Sequence, residues 1–332
     1  MKIITIIGTR PQYIKLKPLH DYCKKNNIQN YIIDTNQHYS DNVSKNIVDE
    51  LALNIDCNLQ VNSDNEMSFI SNSFISISNK FKEICDSDSI ITVVGDTNST
   101  LVSSIVAKKM GLKLAHIEAG VRCNNMNSPE EINRVIVDSI SDIHFTSRVK
   151  DNKNVSSPIC VGDLEYNFLN SIEENYEDIS YDGPVLMTIH RQENLFHDRL
   201  DNIFTFCIHL NHPIIFPIHH RTKKFIEDNN IYIPKNIEVI EPLSFFEVIG
   251  ALRKCRGIIT DSGGITKTAP FFGKKCIVPM SKWEWDEVFE MGYATNKLDK
   301  YWFDHYSIER TMNLYYNKNS CELIINKIME KK

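Results

Sequence analysis

Acidic residues stand just past the ends of several apolar runs that resemble strands. Asp96 follows such a run in VVGDTNST, Glu118 lies in HIEAGVR, and Glu130 precedes Glu131 in SPEEINR. The carboxyl ends of neighbouring parallel strands share one edge of a sheet, so three separate elements would bring carboxylates together there. Carboxylates gathered in a partly desolvated cleft have pKa values that are pushed apart, so one can act as an acid and another as a base. The set predicts acid–base chemistry.

Helix capping explains single members of this set equally well. Asp96 directly precedes the helical stretch Asn98–Met110, and Glu130 lies in the first turn of the stretch Pro129–Ile140. Aspartate is a preferred N-cap, and acidic residues in a first turn are favoured by the helix dipole. Only the occurrence of all of them at strand ends favours function over capping.

A candidate anion site follows the first predicted strand. The segment GTRPQYIKLKPL places Gly8, Arg10 and Lys15 at the start of a helix. Backbone N–H groups at a helix start attract phosphate, and an arginine can bind it with two hydrogen bonds. The alternative is that Gly8 merely makes the turn while the cations are solvated. No G-x-G-x-x-G or G-x-x-x-x-G-K-[ST] motif supports a dinucleotide or nucleoside-triphosphate enzyme.

The second half of the chain repeats this arrangement. His190 and Arg191 follow a predicted strand in TIHRQEN, His219 follows another in PIHHRT, and TDSGG presents Ser262–Gly264 between a strand and a helix. A Gly-Gly turn that opens a helix lets phosphate approach the backbone donors, although it can also be simply a turn. Adjacent side chains are expected to point apart, and His219 and His220 have no third or fourth ligand at zinc-like spacing, so we expect no metal. Ser262 lacks the G-x-S-x-G context of a hydrolase nucleophile.

The candidate residues can meet only if strands and helices place them at the same ends of the sheets. Short β-branched runs alternate with helical stretches, which predicts parallel sheets built from βαβ units with helices on both faces. The predicted strands are Ile3–Ile7, Tyr31–Asp34, Ile90–Val94, Leu114–Ile117, Ile143–Thr146, Ile159–Val161, Val185–Ile189, Ile214–Pro217, Ile237–Ile240, Gly257–Thr260 and Cys276–Pro279.

The length of 332 residues predicts two domains. The acidic, turn-rich segment SIEENYEDISYDG is the best candidate for a linker. We therefore expect an N-terminal Rossmann-like domain over residues 1–170 with the carboxylates, and a C-terminal Rossmann-like domain over 171–305 that binds the ligand. Residues 306–332 are predicted to form a helix that packs back on the first domain. Two similar α/β layers would then face each other across a cleft.

The composition excludes several classes of protein. With 42% hydrophobic and 24% charged residues the chain has the make-up of a globular protein, and a net charge of −6 disfavours a nucleic-acid partner. The nine cysteines form no C-x-x-C pair and their number is odd, which is typical of a reduced compartment. No secretory signal and no apolar run of about 20 residues is apparent, so we expect a cytoplasmic protein without a membrane span.

Taken together, the motifs resemble those of the non-hydrolysing UDP-N-acetylglucosamine 2-epimerase family. The matching segments cover nearly the whole chain in the family's order; they are GTRPQYIKLKPL, NQHYSDNVSKNIVDEL, GDTNSTL, HIEAGVR, PEEINRVIVD, VGD, TIHRQEN, PIHHRT and DSGGITKTAPFFGKK. The resemblance implies a twin-Rossmann, glycosyltransferase-B-like fold, a UDP-sugar substrate, no cofactor and a homodimer. It also implies that UDP leaves C1 by anti elimination as C2 loses its proton, and that UDP re-adds to the resulting glycal.

The resemblance implies roles for individual residues. The catalytic carboxylates correspond to Asp96, Glu118 and Glu130, with the assignment of base and acid left open. The diphosphate ligands correspond to Arg10, Lys15, His190 and the turn Ser262, Gly263 and Gly264, and His190 is also expected to take part in catalysis. His219 and Arg134 match further active-site positions. Gln37 and His38 match a motif near the cleft at which some members bind an allosteric substrate molecule.

Two departures from the family pattern affect the expected substrate. The family usually has a glutamate that binds the nucleotide ribose where this chain has Thr268. The family's T-E-W or T-E-R-P segment is matched only approximately by SKWEWDEV, in which Glu284 and Trp285 align but Trp283 replaces the threonine. RPQ and NQHYS resemble the branch that acts on modified or deoxygenated sugars. The departures at Thr268 and in SKWEWDEV make a modified UDP-N-acetylhexosamine a better expectation than UDP-N-acetylglucosamine itself.

The sequence leaves three alternatives to a non-hydrolysing 2-epimerase. A hydrolysing relative would release UDP and a free epimerised sugar. A non-catalytic paralogue would bind a nucleotide sugar without chemistry, as the loss of the ribose glutamate at Thr268 suggests. A glycosyltransferase on the same fold would need an acceptor and would leave the proton on C2 unexchanged.

Overall fold

The computed structural model describes residues 2–37, 47–61, 63–173, 179–283, 285–305, 308–311 and 314–330. His38 and Glu284, two of the residues to which the sequence assigns a role, lie outside this part of the chain. The chain divides into two compact units, one formed by Met1–Glu173 with Tyr315–Lys332 and the other by Glu174–Leu314.

The first unit is built on a seven-stranded sheet in which every pairing is parallel. Its strands are β1 (Lys2–Ile7), β2 (Asn30–Asp34), β3 (Cys57–Asn58), β4 (Ser89–Val94), β5 (Lys113–Ala119), β6 (Ile143–Thr146) and β7 (Pro158–Cys160), in the order β3-β2-β1-β4-β5-β6-β7. The order reverses between β1 and β4, and ligands of open α/β sheets bind beyond the carboxyl ends at such a switch point.

Helices cover this sheet and complete the hydrophobic core of the first unit. They are α1 (Arg10–Lys25), α2 (Glu66–Ile84), α3 (Asn98–Lys109), α4 (Pro129–Ile140), α5 (Leu164–Glu173) and α12 (Ser320–Met329), with a 3₁₀ helix at Val149–Asn154. The strands bury both faces, as the run Ser89–Val94 shows with all six of its residues buried. Continuous burial explains why these strands read as uninterrupted apolar runs.

The second unit repeats the architecture with a six-stranded parallel sheet. Its strands are β8 (Val185–Thr188), β9 (Ile214–Pro217), β10 (Ile237–Ile240), β11 (Ile258–Thr260), β12 (Cys276–Ile277) and β13 (Ala294–Thr295), in the order β10-β9-β8-β11-β12-β13. Its helices are α6 (His197–Leu210), α7 (His220–Asp228), α8 (Phe245–Lys254), α9 (Gly263–Thr268), α10 (Asp286–Glu290) and α11 (Lys300–His305). Two 3₁₀ helices, Gln192–Asn194 and Ala269–Phe272, complete the unit. Here the order reverses between β8 and β11.

The C-terminal helix is shorter than the sequence predicts. Residues 306–332 were expected to be helical, but the helix begins only at Ser320. Asn317 forms a turn that receives the Ser320 amide at its carbonyl, and the Ser320 hydroxyl donates to the Val161 carbonyl. This anchoring places the helix in the first unit, where it contacts α1 and α5. Turn-forming asparagines stop a helix from starting earlier.

Two strands of only two residues each, β3 and β13, were not predicted. Runs this short carry no periodicity. Among the described residues, no helix combines the length and the apolar character that crossing a bilayer requires.

Candidate functional site

Asp96 lies beyond the end of β4, at the switch point of the first sheet. It is not the cap of the helix that follows: the N-cap of α3 is Thr97, whose side chain accepts a hydrogen bond from the Thr100 amide. The carboxylate of Asp96 instead lies 2.5 Å from the guanidinium of Arg134. Capping therefore does not explain Asp96.

Glu118 has an unusual backbone. Its φ is +69°, in the left-handed region that residues other than glycine rarely adopt. The pairing of β5 with β6 also shifts register between Ile117 and Ala119. Such a conformation costs about 1–3 kcal/mol and is found most often at functional sites. The Glu118 carboxylate forms an ion pair with Lys15 of α1, and both side chains are nearly buried, with exposed fractions of 11% and 13%.

The ends of β4 and β5 are neighbours. Val94 pairs with Ile117, and the amide of Gly95 donates to the Ile117 carbonyl at 2.9 Å. Asp96, just past β4, and Glu118, the penultimate residue of β5, therefore lie at the carboxyl ends of adjacent strands; the sequence placed Glu118 beyond its strand, but β5 extends to Ala119.

The two neighbouring glutamates of α4 have different surroundings. Glu131 is 1% exposed and accepts hydrogen bonds at 3.0 Å from the amides of Cys123 and Asn124, with Arg134 at 3.3 Å. Burial by itself raises the pKa of Glu131, but these donors lower it overall. Glu130 is exposed in the first turn and accepts a hydrogen bond of 2.5 Å from the Ser128 hydroxyl. Glu131 therefore holds the preceding loop, and Glu130 is the glutamate accessible to a ligand.

Gly8 is required by close packing and not by a left-handed backbone, since its φ is not positive. A Cβ atom there would lie 2.1 Å from the Thr35 hydroxyl and 2.4 Å from that of Ser99. Gln37 completes this polar cluster by accepting from the amide and the hydroxyl of Ser99 at 2.9 and 2.8 Å. The packing brings the start of α1, with Arg10, close to the end of β2.

A buried aspartate organises the switch point of the second sheet. Asp261 is 0% exposed and accepts hydrogen bonds from the amides of His190 and Arg191 and from the Asn194 side chain, at 2.9–3.0 Å. The Nδ1 atom of His190 lies 3.0 Å from the same carboxylate. Burial by itself raises the pKa of Asp261, but the hydrogen bond and charge of His190, with Asn194 and Arg191, lower it overall. The sequence reasoning missed Asp261, although it opens the DSGG motif.

His219 lies in a cluster of basic side chains. It caps α7 by accepting at Nδ1 from the Arg221 amide at 3.3 Å, and its ring centroid is 4.1 Å from that of His220 and 6.1 Å from that of His190. Burial lowers the pKa of His219, and the charges of His220, His190 and Arg221 lower it further. An anion bound here would reverse the effect of these charges.

The Ser262–Gly264 turn opens α9. The Ser262 side chain caps the helix by accepting from the Ile265 amide at 3.5 Å. Gly264 does not have a positive φ, and the nearest atom to a Cβ placed there would be the Ser262 hydroxyl at 3.9 Å. Neither turn geometry nor packing within the described residues therefore requires glycine at position 264.

Thr268 ends the same helix. It is 3% exposed, and its hydroxyl donates to the Gly264 carbonyl at 2.8 Å. The preceding residue, Lys267, is 1% exposed, and its ammonium group lies 5.2 Å from the centroid of the Trp285 ring. No sequence signal marked Lys267 as buried. Within the described residues, no three His, Cys, Asp or Glu side chains gather as a metal ion would require.

Comparisons with known proteins place the chain in a family. Residues 20–328 match the family model described as UDP-N-acetylglucosamine 2-epimerase. A UDP-N-acetylglucosamine 2-epimerase homolog of Methanococcus maripaludis is 35% identical over 317 residues, which cover 88% of this chain and 87% of that protein. The UDP-2,3-diacetamido-2,3-dideoxy-D-glucuronate 2-epimerase of Pseudomonas aeruginosa is 33% identical over 311 residues, with 88% and 87% covered.

A solved structure of a similar protein supports the same family. The UDP-GlcNAc 2-epimerase of Methanocaldococcus jannaschii, determined in complex with UDP-GlcNAc and UDP, superposes with a TM-score of 0.85 at 31% identity, covering 99% of each chain. This similarity confirms the predicted two-domain α/β fold of the glycosyltransferase-B type. The chain belongs to the UDP-N-acetylglucosamine 2-epimerase family of isomerases.

Proposed function

We propose that this chain is a non-hydrolysing 2-epimerase that inverts C2 of a UDP-linked 2-acetamido sugar. A carboxylate removes the C2 proton, the electron pair of that C–H bond forms the C1=C2 bond, and UDP leaves with the electron pair of the C1–O bond. A proton is then delivered to the opposite face of C2, and the diphosphate oxygen rejoins C1. The C2 proton is weakly acidic, so its removal requires a positioned base and its return a positioned acid.

The observation that carries this proposal is the pair of carboxylate–cation contacts at the ends of adjacent strands. Asp96 is held by Arg134, and Glu118 by Lys15. Glu130, exposed on α4, is the third candidate acid or base. Asp96 follows a strand at the switch point of the sheet, and ligands of open α/β sheets bind at such a point.

The second unit is proposed to bind the diphosphate. His190, oriented by Asp261, and His219 offer ring nitrogens, and Ser262–Gly264 offers backbone donors. Gly264 supports this role because packing leaves its side-chain position open. Cations such as Arg10 and Lys15 would stabilise the charge that develops on departing UDP.

The sugar is proposed to be a modified UDP-N-acetylhexosamine. Thr268 is uncharged and its hydroxyl proton is donated to the Gly264 carbonyl, so the carboxylate acceptor that the family's glutamate would offer the ribose is missing at this position. The Pseudomonas aeruginosa relative is named for a sugar with an additional acetamido group and a C6 carboxylate.

Incubation with UDP-sugars in deuterated water tests this function. We expect deuterium at C2 of at least one substrate among UDP-N-acetylglucosamine and UDP-2,3-diacetamido-2,3-dideoxy-D-glucuronate, with little free UDP. Accumulation of free UDP with the epimerised sugar would indicate a hydrolysing enzyme. Binding of UDP without exchange on any candidate would indicate a non-catalytic paralogue.

The oligomeric state, the cellular location and the roles of the two domains are also proposed. We propose a cytoplasmic homodimer in which residues 1–170 supply the carboxylates and residues 171–305 bind the nucleotide. Light scattering of the purified protein at the monomer mass would refute the dimer.

A further inference from the structure

The turn that carries Asp96 is held by buried side chains from three different elements. The carbonyls of Val94–Asp96 each receive one of these side chains. The Gln12 amide of α1 donates to the first at 2.7 Å, the His116 ring of β5 contacts the second at 2.9 Å, and the Asn133 amide of α4 donates to the third at 2.8 Å. These three side chains are between 1% and 4% exposed.

The ring of His116 lies between two hydrogen-bond acceptors. Its Nε2 atom faces the Gly95 carbonyl, and its Nδ1 atom lies 2.7 Å from the Asp138 carboxylate. The Gly95 carbonyl only accepts hydrogen bonds, so Nε2–H is the donor there, and Nδ1 faces the carboxylate. His116 therefore links Asp138 to the turn.

Asp138 is a suitable counter-ion. It is 7% exposed and also accepts hydrogen bonds from the Arg122 guanidinium at 2.6 Å and the Gly120 amide at 3.0 Å. Burial by itself raises the pKa of Asp138, but the hydrogen bonds and charges of His116 and Arg122 lower it overall. The carboxylate is thus ionised, and the chain Asp138–His116–Gly95 carries a charge-assisted hydrogen bond to the peptide next to Asp96.

We propose that His116 is a positioning residue for the proposed epimerase reaction: its Nε2–H fixes the Gly95 carbonyl and thereby the aim of the Asp96 carboxylate. Gln12 and Asn133 act on the flanking carbonyls in the same way. The inference rests on the proposed function, because it needs Asp96 to touch the substrate. A misplacement of about 1 Å at a reacting group can lower a rate by roughly 100-fold, so rigid support of this turn matters for turnover.

The alternative is that His116 only stabilises the core. His144 provides the matched comparison, since it pairs directly with His116 across β5 and β6 and is 2% exposed. Its Nε2 atom contacts the Asp138 carbonyl at 2.8 Å, on α4 and not on the turn. A purely structural role would make the two histidines equivalent.

Two substitutions at position 116 separate the two hydrogen bonds. The amide nitrogen of asparagine reaches the place of Nδ1, and that of glutamine reaches the place of Nε2. His116→Asn therefore keeps the donor to Asp138, whereas His116→Gln keeps the donor to Gly95. Activity is measured as kcat and KM for C2 epimerisation, together with UDP affinity and the melting temperature.

We expect the two measurements to rank the variants in opposite orders. His116→Asn should lower kcat roughly 10- to 100-fold with KM and UDP affinity within about twofold, and His116→Gln should recover about tenfold of that loss. His116→Gln should nevertheless melt at the lower temperature, because it withdraws the hydrogen bond from buried Asp138. His144→Asn should lower the melting temperature and leave kcat within about twofold.

Agreement between the order of kcat and the order of melting temperature would overturn the positioning role, as would wild-type kcat in His116→Asn. If either variant at position 116 fails to fold, the support of the turn is tested by comparing kcat between Asn133→Ser and Asn167→Ser. Asn167 donates an equivalent bond to the Asn317 carbonyl, away from the turn. Equal kcat in these two serine variants would overturn the proposal. An inactive wild type would overturn the proposed function itself, whereas an active one in which kcat follows stability overturns only the role of His116.

Discussion

The guanidinium of Arg134 bridges two carboxylates, lying 2.5 Å from Asp96 and 3.3 Å from Glu131. Asp96 follows β4, whereas Glu131 lies on α4 and holds the preceding loop through the amides of Cys123 and Asn124. One cation therefore links the end of a strand, the start of a helix and a loop. An arginine suits this place because its planar fork can bind two acceptors at once.

Replacing Asp96 by asparagine should lower the rate of deuterium incorporation at C2 by roughly 10²–10⁴-fold, the usual contribution of a positioned acid or base. UDP affinity, measured by calorimetry, should stay within about twofold because the proposed diphosphate ligands are unchanged. Asp21→Asn is the control, since Asp21 forms an exposed ion pair with Lys17 on α1. Near wild-type exchange in Asp96→Asn would rule out acid–base catalysis by this residue.

The positive φ of Glu118 predicts that glycine is more stable there than alanine. The comparison is made in a Lys15→Met background, which removes the unpaired cation. Glu118→Gly should exceed Glu118→Ala by about 0.5–1 kcal/mol in the free energy of unfolding, because alanine retains the strain of the left-handed region. Both variants should be inactive. Denaturant titration measures the difference, and Lys113, exposed at the start of the same strand, should show the opposite order.

The buried Lys274 predicts a pH dependence of stability. Its ammonium group donates to the carbonyls of Ser180 and Cys255 at 2.5 and 2.8 Å and lies 4.0 Å from the centroid of the Tyr181 ring. Burial lowers the pKa of Lys274 to about 8. Between this value and the unfolded pKa of about 10.4, the unfolded chain binds more protons, so stability should rise with pH.

The measurable quantity is the difference in unfolding free energy between the wild type and Lys274→Met. It should rise between about pH 8 and 10 with a slope of at most about 1.4 kcal/mol per pH unit. A flat difference would show that Lys274 keeps its ordinary pKa in the folded protein, and a falling difference would show that its pKa is raised; either result contradicts the prediction.

His219 predicts proton uptake when UDP binds. Burial and the charges of its neighbours His220, His190 and Arg221 lower its pKa in the free protein, whereas a bound diphosphate would raise it. Affinity should therefore increase as the pH falls through the interval between the free and bound pKa values.

Calorimetry near pH 6.5 in two buffers of different ionisation enthalpy measures the number of protons taken up. His219→Gln should reduce the uptake, while His212→Gln, a residue paired with Asp304 at 2.9 Å, should not. Equal uptake in both variants and the wild type would place the titrating group elsewhere.

Local patterns predicted the main elements well. The strands Ile143–Thr146, Ile214–Pro217 and Ile237–Ile240 appear residue for residue as expected, as does the helix Pro129–Ile140. These segments combine β-branched or amphipathic patterns with clear turn signals, so local preference and tertiary burial agree. The start of the C-terminal helix was not predicted correctly, because the turn around Asn317 is fixed by tertiary contacts. The Ser320 hydroxyl, for example, donates to the Val161 carbonyl in the first unit.

The sequence by itself determined the family, the parallel α/β class and which residues stand at strand ends, because periodicity and turn chemistry are local properties. Tertiary structure decided what each of those residues meets. It buried Glu131 and exposed Glu130, paired Lys15 with Glu118, and made Asp261 the support of His190. Lys15 and Glu118 are far apart in the chain, as are His190 and Asp261, and they meet only when strands, helices and loops pack, so no spacing in the sequence could reveal these pairs.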